Sequence, residues 1–226
     1  LNKPRVYFLT DGSGGRDVSR THYSRTIVEA TGSTCGAVFG EIADKTWYSA
    51  FRDQDISFFR SVLVRIERDI PHARTIRIVA DAVDGYNPVH DLASAMGVAL
   101  QKKLTQRGVE ASLAFSAAVP SARGDLVEQI RLDEAARARK LQAVKKYTPL
   151  AEEVQRILEQ DATALDREYI IDQNTDWRGF ATPTWESIGR ERVLAGTYES
   201  CLTMKEHFQP VVQSLLHDQA HSEQAR

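Results

Sequence analysis

Apolar residues fall into short runs in the first half of this chain and into helix-spaced stripes between and after them. The runs predict strands over Arg5–Thr10, Ala37–Phe39, Thr75–Ala80 and Glu110–Phe115. Ile56, Phe59, Val62, Leu63 and Ile66 recur at helical spacing and predict a helix over Asp55–Arg68, closed by Pro71. Leu92, Ala95, Met96, Ala99 and Leu100 form a second stripe between His90 and Gly108. A further helix is expected over Val18–Ala30 with Gly32 as its stop, and Gly40–Trp47 reads as a loop. Strands alternating with helices imply an α/β fold: a Rossmann-like, mostly parallel sheet flanked by helices.

Beyond Pro120 the pattern changes to charged, alanine- and leucine-rich helix. Helices are expected near Asp133–Lys146, Pro149–Gln160 and Ser187–Leu216, with a loop at Asp172–Thr184. Trp177, Phe180 and Trp185 would clamp that loop onto the body. The chain thus divides into an α/β core over 1–120 and a helical carboxyl-terminal extension over 121–226, packed on that core. Val193, Leu202, Phe208, Val211 and Leu215 on the last helix suit packing on the core better than on another subunit, although an oligomer stays open.

Composition removes several function classes. Lys and Arg number 29 against 31 Asp and Glu, so no broad field favours nucleic acid or an anionic membrane. Cys35 and Cys201 make neither a disulfide framework nor a zinc ribbon. No apolar stretch approaches a membrane span, and no signal peptide is visible, so a cytoplasmic location is expected. The chain starts at Leu1 and enters a strand almost at once, which reads as a fragment or a misplaced gene start.

Candidate chemistry gathers at two strand ends, where open α/β sheets place their sites. One is Asp81–Asp91, which carries Asn87 and His90; a neutral imidazole there suits a metal ligand or a general base, or merely a polar loop residue. Asp91 is as apt to cap the following helix. The other is Asp11-Gly-Ser-Gly-Gly15, whose backbone N–H groups suit an anionic or sugar ligand. It lacks the dinucleotide glycine spacing and any Walker lysine, which leaves a nucleotide-dependent transferase resting on its glycines alone. Asp44 sits in a second strand-end loop, and either Arg20 or Arg25 is expected to face the same rim. His22, His207, His217 and His221 read as surface or structural residues.

With those pieces in order, the chain resembles the PIG-L/LmbE-like N-deacetylases over most of its length. Val6–Gly12 with Arg20 resembles the family's second strand and its threonine-aspartate-glycine turn, and Gly40–Asp44 the next strand end with its loop aspartate. Tyr86-Asn87-Pro88-Val89-His90 is similar to the distal histidine-proline-aspartate-histidine motif, with His90 on the metal-binding histidine. Asp133–Leu141, Tyr147–Leu150 and Ile188–Val193 resemble the family's carboxyl-terminal region.

The resemblance implies zinc-dependent removal of an acyl group from an N-acylated sugar or related amide. It gives His90 to the metal, Asn87 to the oxyanion, and Asp11, Arg20 and Asp44 to the substrate pocket. The family's first strand, with its histidine-proline-aspartate-aspartate motif, would lie ahead of Leu1, so the zinc site is incomplete in this sequence and this chain by itself is expected to be inactive. Asn87 and Val89 stand where the distal motif has histidine and aspartate. A catalytically degenerate relative, binding a sugar or serving as a scaffold, is the alternative.

Overall fold

The computed structural model describes residues 3–14, 18–117, 122–161, 163–174 and 182–217. Strand β1 (Arg5–Phe8) leads into α1 (Thr21–Ala30) and β2 (Thr34–Phe39), which lies parallel to β1. Helices α2 (Asp44–Arg52) and α3 (Ile56–Asp69) follow, then β3 (Thr75–Asp81), α4 (Pro88–Gln106) and β4 (Glu110–Ser116). Strands β3 and β4 pair in parallel, in unbroken register from Thr75↔Glu110 to Asp81↔Ser116. The remaining elements are β5 (Asp125–Arg131), α5 (Glu134–Lys146), a 3-10 turn (Thr148–Leu150), α6 (Ala151–Gln160), β6 (Arg167–Asp172), α7 (Thr184–Leu194), a π-helical turn (Met204–Phe208) and α8 (Gln209–His217).

The α/β class stands, but the single sheet does not. Among the described residues two sheets form, β1–β2 and β3–β4–β6–β5, and β1 and β3 are each an edge strand. What joins them is a layer of helices. Val38 of β2, Ile76 and Ile78 of β3, Phe59 and Leu63 of α3, Leu92 and Met96 of α4, and Val211 and Leu215 of α8 belong to one continuous apolar cluster. The positions of the two strand pairs are thus set by side-chain packing rather than by a shared hydrogen-bond ladder.

Four expectations change. Gly40–Trp47 is not a loop throughout, because α2 starts at Asp44; Trp47, Ala50 and Phe51 fall on one buried stripe of it, and the Trp47 Nε1–H donates to the Leu9 carbonyl at 2.8 Å. The first helix begins at Thr21, three residues later than Val18. The segment after Pro120 is not all helix: β5 and β6 add to the second sheet in antiparallel sense, so the carboxyl-terminal part completes the sheet as well as covering it. The long final helix is broken into α7 and α8, with Gly196 at φ 71° just past the end of α7. Trp185 lies in α7 rather than in a loop, and Trp177 and Phe180 fall outside the described residues.

Candidate functional site

A cavity of about 490 Å³ lies where the carboxyl ends of β1 and β3 meet. Both strand ends singled out in the sequence reach it. Asp11, Arg20 and Asp44 come from the first, and Asn87 and His90 from the second, so all five proposed site residues line one space although they are separated by up to 79 positions.

The first rim is a loop tied in place by carboxylates. Asp11 Oδ1 accepts from the Ser13 N–H at 2.9 Å and from the Asp44 N–H at 3.3 Å. Asp44, buried at the start of α2, accepts in turn from the Gly14 N–H, a placement that also suits the positive end of the helix. Gly40 is required here: its φ is 67°, and a Cβ would lie 2.5 Å from Thr21 Oγ1. Arg20 stands just before α1, its N–H donating to the Asp11 carbonyl at 2.7 Å. Asp11 and Asp44 thus shape the rim as well as bordering the cavity.

The second rim is built on the amino terminus of α4, with Pro88 at its first turn. Asn87 is the helix cap, its Oδ1 accepting from the Val89 N–H at 2.8 Å. Capping therefore falls to Asn87, not to Asp91. Its amide group meets the Tyr48 hydroxyl, leaving a second N–H for a ligand. His90 lies in the first turn of α4, not in the preceding loop, and is exposed to the cavity. Val89 points the other way, into the main core.

Asp91 is fully buried beneath this turn. One carboxylate oxygen accepts from the Asp84 and Gly85 N–H groups, each at 3.1 Å, and the other from Trp185 Nε1–H at 2.9 Å. The Trp185 backbone N–H donates to the Gly85 carbonyl at 3.0 Å. This bolts the Asp84–Asn87 turn to α7. Burial pushes the Asp91 carboxyl up to about 6, opposed by the three hydrogen bonds it accepts.

Three residues near the site were not named as candidate site residues in the sequence reading. Asp81, at the end of β3, opens to cavity solvent but is crowded by protein; that crowding raises its carboxyl, the neighbouring His90 charge lowers it, and Asp84 raises it further. Tyr48 of α2 is pushed up to about 12 by burial and then by the Asp44 charge, which places it between the two rims. Its position, four after Asp44, was the available signal, masked by reading Gly40–Trp47 as a loop. Tyr147 closes the cavity from above, within 3.2 Å of the Ser24 hydroxyl.

Zinc was the cofactor expected. Among the described residues no three His, Cys, Asp or Glu side chains converge into a metal-holding group. His90 has carboxylate neighbours, but these residues by themselves do not make the three-ligand site that catalytic zinc requires. No helix among the described residues is long and apolar enough to cross a membrane. No family model, no curated protein and no solved structure matches the chain.

Proposed function

We propose that this cavity is the substrate site of a PIG-L/LmbE-like amide hydrolase, on a Rossmann-like frame, which removes an acyl group from an N-acylated sugar or related amide. The observation that carries the reading is the meeting of the Asp11–Gly14 loop and the Asn87–His90 turn in one ligand-sized cavity. Parallel β1–α1–β2 and β3–α4–β4 units, each delivering its polar turn to that cavity, support the frame. Zinc in such enzymes supplies an activated water and polarises the carbonyl. In this reading His90 is one ligand, and the remaining donors and the base lie outside the described residues. The free Asn87 N–H donates to the developing oxyanion, while Arg20 and the Asp11 and Asp44 loop hold the sugar. Asn87 has no proton to give a leaving amine, so another group must supply it.

The second reading is a sugar-binding or scaffold relative without hydrolysis. It is favoured by Val89, which is buried in the core at the position the family gives to an aspartate. The test expresses the coding sequence extended upstream of Leu1 and measures bound zinc, sugar binding and acetate release across N-acetyl sugars. Stoichiometric zinc with release supports the hydrolase. Sugar binding without either supports the second reading, and absence of all three overturns both.

A further inference from the structure

The walls of the cavity differ in kind. Asp11, Arg20 and His90 form a polar rim at the strand ends. Leu150, Val154 and Ile157, with the carboxylate of Glu153 among them, border the same cavity from the turn before α6 and from α6 itself. Their spacing of four and then three residues places them along one helix face. All three are half-buried, and none belongs to either apolar cluster of the protein. A stripe of this kind normally enters a core. Here it faces a ligand-sized space whose opposite wall is charged.

We infer that the cavity takes an amphiphile, with a hydroxylated, amide-bearing head at the Asp11–Arg20–His90 rim and a medium-length acyl chain laid along α6. A polypeptide partner is a poorer occupant, because a volume of about 490 Å³ suits a small ligand. The stripe from Leu150 to Ile157 runs for roughly 10 Å at the helical rise, close to an extended chain of about eight carbons. The inference deepens the reading of this cavity as a substrate site and names the acyl group such a substrate carries. It does not depend on hydrolysis taking place.

The test is calorimetric titration of the purified protein with N-acetyl-, N-butanoyl-, N-hexanoyl- and N-octanoylglucosamine. Affinity is expected to rise roughly two- to fourfold per added methylene, as burial of each CH₂ dictates. Ile157→Asp and Val154→Asp are expected to flatten that slope. Val154→Leu, which keeps the wall apolar, is expected to retain the slope, and circular-dichroism melts check that each variant is folded. A wild-type affinity independent of chain length overturns the inference, as does a slope that survives in a folded Ile157→Asp protein, or no binding of any of the four. Chain-length dependence without hydrolysis in the upstream-extended protein removes the hydrolase reading alone. Hydrolysis of N-acetylglucosamine with no chain-length dependence removes the amphiphile alone.

Discussion

Helices α3 and α4 meet the strands, and α8 meets those two helices, through fully buried rings and aliphatic chains, whereas α5 and α6 are attached largely through polar groups. On the first side Phe51 of α2 stacks on Phe208 with ring centroids 5.5 Å apart and meets Phe59 at 4.8 Å, all of them excluded from solvent. On the second, Tyr147 and Thr148 reach Ser24 and Tyr23 of α1 by hydroxyl contacts of 3.2 and 3.1 Å, with one ring contact of 5.1 Å between Tyr147 and Tyr23, and Lys140 pairs with Glu168 of β6 at 2.6 Å. No residue of α5 is buried. Dense apolar packing fixes geometry to fractions of an ångström, while exposed polar contacts are individually weak. The rims are therefore held by the first region, and the second covers them lightly enough to admit a ligand.

That contrast is open to attack by substitution. Phe51→Ala should be the most damaging change, destabilising by about 3–5 kcal/mol through the cavity it leaves, read by denaturant melts. A loss under 1 kcal/mol would show that the aromatic cluster is not the anchor. Asp91→Asn should come next, at about 1–3 kcal/mol, because an amide cannot accept all three hydrogen bonds that the carboxylate now accepts.

The pH dependence has a definite sign. The folded carboxyl of Asp91, at about 6, lies above the unfolded value of 3.8, so folding favours its protonated form. Its contribution is whole below about pH 4 and fades as pH rises through 6. The advantage of wild type over Asp91→Asn in melting temperature should shrink from pH 4 to pH 7, and an advantage that grew instead would refute the assignment.

Val154→Ala should cost less than about 1 kcal/mol, since its side chain is only half-buried and lies outside both cores. Tyr147→Phe should be smallest, about 0.5 kcal/mol, and should show chiefly as faster amide exchange in α5 and α6. Protection of those helices equal to that of α4 would erase the distinction between the two regions.

Much of the fold was legible because its signals are local. The α3 stripe of Phe59, Val62, Leu63 and Ile66 and the α4 stripe around Leu92 and Met96 are apolar in the helical period and buried as that period requires. The strand read over Thr75–Ala80 was equally plain, and in the structure it runs one residue further, alternating between helix-facing Ile76 and Ile78 and outward Arg77 and Val79. Strand β5 was missed because all seven of its residues are exposed, which leaves no apolar alternation to read. Helix α2 was missed because Asp44 and Lys45 at its start read as loop polarity, although Asp44 lies in its first turn and Trp47 and Phe51 are buried.

At the site, the two polar turns were visible as sequence, and so was their location at strand ends. Their convergence was not, because it depends on how two separate strand pairs settle on one helical layer. The role of Asp91 was hidden for a related reason. Its partner Trp185 lies 94 positions away, and nothing in local spacing links a carboxylate to an indole at that distance.

Among the described residues β1 and β3 each have one edge without a strand partner, and these edges leave a seam of peptide donors and acceptors. Such a seam recruits extended polypeptide, so at high concentration the protein should self-associate here before it does so through any surface helix. For an engineer, the same seam marks where one added strand would convert two small sheets into a single one and gain stability across the whole midsection.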